Sequence, residues 1–105
     1  MEIKVIEFSE FPGARYKHLG PYSGEAFRDD ILIPAIKTDE EISVNFDGVF
    51  GYGSSFLEEV FGGMIRKGIP PALVIGIVSR SISNDDPDLI NEIKLYVNEA
   101  IKMLG

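Results

Sequence analysis

Apolar and polar residues follow two different periods along this chain, and these periods predict both strands and helices. Residues 3–8 are rich in β-branched and aromatic side chains, and residues 14–19 follow a Phe-Pro-Gly turn signal, so we expect a β-hairpin. Residues 42–46 alternate apolar with polar positions, as a strand does when one face is buried. The nearly unbroken apolar run 72–78 is typical of a fully buried strand.

Three further segments carry apolar residues at helical spacing. The first predicted helix has Ser23 as its N-cap and is kinked or ended by Pro34. The second runs from Phe56 to Gly68. The third begins at Asp86-Pro87 and ends at Leu104. The element order is then β-β-α-β-α-β-α. It predicts an α/β fold in which helices pack on a sheet and right-handed crossovers join parallel strands.

The second predicted helix contains two adjacent glycines, Gly62 and Gly63. Each costs about 1 kcal/mol relative to alanine inside a helix. Some neighbour should therefore need the space of the missing side chains, and we expect this to be close packing of the helix on the sheet.

Composition limits the classes of function. The chain has 105 residues, 45% of them hydrophobic, which predicts one globular domain spanning residues 1–105. Its net charge of −7 disfavours binding to nucleic acid or to anionic lipid. The absence of cysteine, of a leader-like segment and of a long apolar run predicts a cytoplasmic protein without a membrane span. A lone histidine, His18, gives no metal site, and we expect no cofactor.

The functional question concerns the segment from Asp47 to Gly63, in which a glycine-rich loop leads into a helix. Its glycines can adopt backbone angles closed to other residues and can allow another molecule to approach closely. Ser54 and Ser55 follow the loop where the helix should begin. The structural interpretation is a capping box, in which Ser55 and Glu58 satisfy the first helical amides. Glu58 with Glu59, and Asp85 with Asp86, are interpreted as solvated charge and capping.

Other chemistry at this loop has weaker support in the sequence. A phosphate cradle would use the amides of the helix start, but the glycine spacing matches neither a P-loop nor a dinucleotide fingerprint. A catalytic serine would need a base and a G-x-S-x-G context, and neither is present. An enzyme or small-ligand, nucleotide or anion binder remains the alternative, using arginines and a tyrosine around the loop. These residues are Arg15, Tyr22, Arg28 and Arg80.

The run from Ile42 to Val49, followed by Ser54-Ser55, resembles the STAS domains of bacterial anti-sigma-factor antagonists. A closer similarity is to a STAS-like domain family of unknown function, whose hallmark looks like Asp47-Gly-Val49 with Ser55-Phe-Leu-Glu-Glu59. Gly13 to Tyr16 and Gly20 to Phe27 look like its upstream segment. The resemblance spans about Phe11 to Ser79 and implies a single STAS-like domain with a mixed sheet.

In the antagonists, the second hydroxyl residue of the motif is phosphorylated, which breaks a complex with a protein partner. By position, the resemblance implies Ser55 as phosphoacceptor, with Ser54 as the neighbouring candidate. This chain departs from that motif, because Gly53 replaces an aspartate and Phe56 replaces a glycine.

The leading hypothesis is therefore a non-catalytic signalling or regulatory module that docks a protein partner, such as a histidine-kinase-like ATPase or a serine kinase. The predicted partner-binding residues are Asp47, Gly51, Tyr52, Gly53, Phe56, Glu58 and Glu59. A further interpretation is a homodimer formed through an open sheet edge at the N-terminal hairpin.

Overall fold

The computed structural model describes residues 1–39 and 41–104 and places helices around a small parallel sheet. Within these residues the sheet has two strands, β1 (Glu2–Lys4) and β2 (Ser43–Asn45), which pair in parallel with Ile3 opposite Val44. Asn45 also forms a parallel bridge with Ile82. The α/β class and the strand at residues 42–46 are confirmed, whereas the predicted strand order is not.

Helices account for most of the remaining regular structure. In chain order they are α1 (Val5–Phe8), α2 (Gly24–Ala26), a π-helical segment (Phe27–Leu32), α3 (Ile33–Ile36), α4 (Ser54–Arg66), α5 (Pro71–Arg80) and α6 (Leu89–Met103). The Ser23 hydroxyl accepts a hydrogen bond from the Ala26 amide at 3.0 Å, so the predicted N-cap is confirmed. Pro34 does not end the helical stretch, which continues to Ile36. The segment before Pro34 is π-helical and includes Asp30, whose carbonyl would be the acceptor for the amide proton that Pro34 lacks.

The predicted N-terminal hairpin is wrong. After β1 the chain turns into α1, and residues 14–19 form no strand but end in a 3₁₀ turn at Lys17–Leu19. The backbone of residues 13–15 instead bonds to residues 22–25, with Gly24 N donating to Ala14 O and Glu25 N to Arg15 O, both at 2.9 Å. A hairpin edge is therefore absent from this part of the chain. His18 is exposed and stacks on Tyr16, in agreement with a surface role.

The predicted strand at residues 72–78 is a helix, α5. Pro71 occupies its first turn, where the missing amide proton costs nothing, and the buried residues Val74, Ile77 and Val78 recur at helical spacing. Ile75 lies on the outer face, 48% exposed. The run 72–78, which is apolar except for Gly76, therefore buries only one of its faces. Tertiary packing overrode the strand propensity of valine and isoleucine.

Helix α4 lies at the centre of the core and packs against both α6 and the helical stretch that begins at Gly24. At the second crossing the backbones approach so closely that a Cβ on Gly24 would lie 2.6 Å from the Phe56 carbonyl oxygen. Gly68 ends α4 with φ +88°, as predicted. Helix α6 begins two residues later than predicted, because Asp86 and Pro87 form a turn in which Asp86 O accepts from Leu89 N at 3.1 Å.

Candidate functional site

The glycine loop begins at a turn that is fastened to the segment before α6. The Asp47 carboxylate accepts from the amide of Asn84 at 2.7 Å, the amide of Asp85 at 2.9 Å and the Asn84 side chain at 3.0 Å. The Asp85 carboxylate in return accepts from Gly48 N at 2.9 Å. These bonds, first that from the Asp85 amide, lower the pKa of Asp47. Asp47 therefore holds two loops together, and Gly48 takes a φ of +90° that favours glycine.

Tyr52 fixes the middle of the loop to the core, whereas Phe50 is exposed. The Tyr52 hydroxyl donates to Phe46 O at 2.7 Å, and the Tyr52 ring meets the Phe46 and Phe56 rings. Burial, and then the negative charges of Asp47 and Asp85, raise the pKa of Tyr52 above its ordinary value. Phe50 behaves differently, because its amide bonds to Glu10 O while its ring is 76% exposed. The loop is therefore held to the core by Tyr52, and the Phe50 side chain is exposed to solvent.

Ser54 and Ser55 form the first turn of α4, and both are exposed. The capping box predicted for Ser55 and Glu58 is wrong, because the N-cap is Gly53, which has no side chain, and Ser55 already lies within the helix. Instead, the Glu58 carboxylate binds two arginines, Arg15 and Arg66. The serine hydroxyls are therefore free of the capping role that the sequence favoured.

Ser54 lies next to a tyrosine of α6. The Tyr96 hydroxyl donates to the Glu92 carboxylate, and this hydrogen bond is the main reason that the pKa of Tyr96 is raised to about 12. The Ser54 hydroxyl has the opposite effect and lowers the pKa of Tyr96. Ser54 is thus coupled to α6, whereas Ser55 is not part of this contact.

An open groove of about 560 Å³ runs beside the two serines. It lies between the start of α4 and the segment that precedes the 3₁₀ turn, and its lining includes Arg15, Tyr16 and Leu19. Tyr16 and Leu19 are exposed, so the groove offers apolar surface to another molecule. Arg15 brings a positive charge to the same face of α4 as Ser55, because Glu58 and Glu59 lie three and four residues further along the helix.

Behind the groove lies a buried cluster of charges. Arg28 is only 3% exposed; its Nη1 donates to Glu59 O at 3.1 Å and also binds the Glu59 carboxylate, while its Nε binds Asp29 at 2.8 Å. Glu59 is 7% exposed and also binds Arg15 at 3.1 Å, so the prediction that it is solvated charge is wrong. Burial by itself would lower the pKa of Arg28, but the hydrogen bonds to Asp29 and Glu59, together with the charges of these two carboxylates, outweigh burial and raise it.

This cluster occupies the space beside Gly63 of α4, and the neighbouring Glu58 carboxylate occupies the space beside Gly62. A Cβ on Gly63 would collide with Arg28 Nη1, and a Cβ on Gly62 would collide with the Glu58 carboxylate. The expected cause, close packing on the sheet, is therefore wrong, because the missing side chains leave room for ionised groups. Sequence reasoning missed this cluster. The available signal was the pair of glycines inside a predicted helix, which indicated that a neighbouring group needs their space.

The predicted partner-binding residues divide into exposed and buried sets. Gly51 and Gly53 are exposed, while Asp47, Tyr52 and Glu58 are partly buried and engaged as described above. Phe56 is 1% exposed and Glu59 is nearly as buried, so their side chains support the surface from within and do not contribute to it.

The arginines of the alternative hypothesis do not gather around the loop. Arg28 is enclosed by its carboxylate partners, and Arg80 donates to Ile42 O beside α5. The exposed ring of Tyr22 meets Phe8 edge-on. Of this set only Arg15 lines the groove. Within residues 1–39 and 41–104, no group of acidic or histidine side chains is arranged to hold a metal ion.

The architecture and the site define a small α/β protein with an exposed pair of serines at the start of its central helix. The model of the family described as STAS-like domain of unknown function (DUF4325) matches residues 23–87. The chain therefore belongs to this STAS-like family, as its sequence motifs indicated. No curated protein and no solved structure matches the chain. In the part of the chain that the structure describes, no helix has the length and apolar character needed to cross a bilayer.

Proposed function

We propose that this protein is a non-catalytic signalling or regulatory module that docks a protein partner at the start of α4, with Ser55 as a phosphorylation switch. One observation carries the proposal: the hydroxyls of Ser54 and Ser55 are exposed and free of capping bonds beside an open groove with apolar walls. The similarity of the motif to the antagonists supports the same function. The proposal includes a cytoplasmic location, in line with a chain free of cysteine.

The proposed docking surface consists of the exposed residues at and next to the groove. Gly53 and the two serines provide backbone and hydroxyl groups, and Tyr16 and Leu19 provide apolar contacts across the groove. Gly51 is exposed in the loop that leads to Gly53. Phe56 and Glu59 hold this surface in place from inside the fold. A partner chain that enters the groove would bury the exposed ring of Tyr16 and the side chain of Leu19, which favours association.

Phosphorylation would change this surface directly. A serine kinase, or an ATPase of the histidine-kinase type, would transfer a phosphoryl group from ATP to the Ser55 hydroxyl, which loses its proton as ADP leaves. The phosphate adds about −1.5 to −2 charges. The positive end of α4 favours this charge locally, whereas Glu58 and Glu59, which pair with Arg15, repel it. A hydrated dianion beside Tyr16 and Leu19 also opposes burial of the groove under a partner. The phosphorylated form is therefore the released form.

The test combines site mapping with partner capture. We expect mass spectrometry of the protein isolated from its own cells to locate a phosphoryl group on Ser55 and to lose it in Ser55→Ala. Immobilised wild type and Ser55→Ala should capture a partner from lysate that Ser55→Glu does not retain. Ser79→Glu is the matched control, because Ser79 is an exposed helical serine of α5 outside the groove. It should retain the partner.

Two outcomes would contradict the proposal. Retention of the partner by Ser55→Glu at the wild-type level would remove the switch. A concentration-dependent rise in melting temperature with ATP or inorganic phosphate, abolished by Arg15→Gln, would instead support the anion-binding alternative.

A further inference from the structure

Two phenylalanines that do not line the groove form an exposed stack next to the glycine loop. Phe11 is 65% exposed and Phe50 76%, and their rings lie nearly parallel with centroids 4.7 Å apart. The amide of Phe50 donates to Glu10 O at 3.1 Å, which ties the two segments together beside the rings. A fixed aromatic pair at this level of exposure is typical of a surface that another molecule covers.

The Phe50 ring also forms one wall of a cleft, which we name the acidic cleft. Its apolar side includes Phe50, Tyr52 and Leu89, and its polar side includes the carboxylate residues Asp85, Asp86 and Glu92. Its volume is about 260 Å³. This is below the roughly 300–1,000 Å³ of ordinary small-molecule pockets, so the cleft fits one long side chain better than a cofactor.

The cleft has a fixed position and an unbalanced charge. Asp85 is held by its bond from Gly48 N, and Glu92 by the hydroxyl of Tyr96. Within residues 1–39 and 41–104, no lysine, arginine or histidine forms an ion pair with any of the three carboxylates of the cleft. In the same residues no set of carboxylates is placed closely enough to ligate a metal. An anionic ligand would be repelled, so the complementary occupant is an extended organic cation.

We propose that the acidic cleft and the Phe11–Phe50 stack bind an arginine side chain in a basic and apolar segment of a partner protein. The guanidinium would bond to Asp86 and Glu92, its methylene stem would lie along Phe50, and a neighbouring apolar side chain would cover Phe11. Arginine suits this site because its planar cation both pairs with carboxylates and stacks on aromatic rings. The inference goes beyond the proposed function, since the cleft shares no lining residue with the groove beside Ser55.

The probe is a fluorescent hexapeptide of alternating leucine and arginine, compared with peptides that carry glutamine or glutamate in place of every arginine. We expect saturable binding of the arginine peptide by fluorescence anisotropy, weakened at higher salt, and at least about fivefold weaker binding of the glutamine peptide. Amide shifts in a ¹⁵N spectrum should map to Phe50, Asp85 and Asp86.

Matched variants separate this site from general attraction to an acidic protein. Asp86→Asn with Glu92→Gln should weaken the arginine peptide at least about fivefold, and Phe50→Ala should weaken it by a similar factor. Glu99→Gln removes a charge from an exposed position of the same helix outside the cleft, and Leu95→Ala trims an exposed apolar side chain of α6. Both controls should bind like wild type.

Equal binding of arginine and glutamine peptides would overturn the inference, as would equal losses in the cleft variants and the controls. Amide shifts located away from the cleft would overturn it too. These measurements use unphosphorylated protein and no variant of Ser55. Failure of the phosphorylation switch therefore leaves the peptide result intact, and failure of peptide binding leaves the Ser55 result intact.

Discussion

Gly63→Ala tests whether the buried pair of Arg28 and Glu59 dictates glycine in α4. In open surroundings this change would stabilise the helix by about 1 kcal/mol. Here the new methyl group would collide with Arg28 Nη1 and lie 3.2 Å from Glu59 Oε2. Arg28 must then leave its partner, and breaking a buried ion pair costs about 3–5 kcal/mol. The expected net loss in the free energy of unfolding is about 2–4 kcal/mol.

Urea unfolding followed by far-UV circular dichroism measures this loss. With an m-value of about 1–3 kcal/mol/M, the midpoint should fall by on the order of 1–2 M. Gly62→Ala is the matched control, since its methyl group meets the carboxylate of Glu58, which is partly exposed and can rotate into solvent. This variant should stay within about 1 kcal/mol of wild type, because an exposed ion pair contributes about 0–1 kcal/mol.

A double-mutant cycle with Arg28→Met makes the test sharper. Methionine removes the guanidinium and leaves Glu59 paired with Arg15 and Arg66. In that background Gly63→Ala should stabilise the helix by about 1 kcal/mol, so the coupling between positions 28 and 63 should be about 3–5 kcal/mol. If Gly63→Ala were as mild as Gly62→Ala, or equally costly with and without Arg28, the reasoning from the buried pair would be refuted.

Three further predictions concern the same framework. Gly24→Ala should lower the free energy of unfolding by about 1–3 kcal/mol, because its methyl group would press on the Phe56 carbonyl, and urea unfolding measures the loss. Asp47→Ala should speed hydrogen exchange of the Asn84 and Asp85 amides, which donate to its carboxylate; unchanged exchange would contradict the link between the loops. Arg66 first, and then Arg15, lowers the pKa of Glu58 in the folded protein, so its stabilising effect is complete above the unfolded value of about 4.3 and is lost as pH falls through the folded pKa. Unfolding measured from pH 7 to 3 should therefore show a shallower loss of stability below pH 4.3 in Glu58→Gln than in wild type.

The sequence correctly predicted the elements whose hydrophobic pattern fits only one type of secondary structure. Residues 42–46 alternate strictly, and α4 and α6 carry long apolar stripes, so local period and buried face agree. Residues 72–78 are apolar at every position except Gly76, and such a run carries no period to separate strand from helix. Pro71 at the first helical position was the signal that could have decided the question.

The sequence correctly placed the two serines at the start of a helix, but it did not predict the hydrogen bonds and ion pairs around them. Ser54 and Ser55 do lie at a helix start, because glycine and serine mark such boundaries locally. The partner of Glu58 could not be read from the same local rule, since Arg15 lies 43 residues away in sequence. A long-range ion pair replaced the short-range cap, and only the folded chain determines which of the two forms.

The contact among Gly63, Arg28 and Glu59 also limits how sequences of this kind can diverge. An arginine at position 28 requires both the acid at position 59 and the absence of a side chain at position 63, so these three choices should change together among relatives. A relative with a neutral residue at position 28 is released from that restriction and can accept alanine at position 63, where the helix would gain from it.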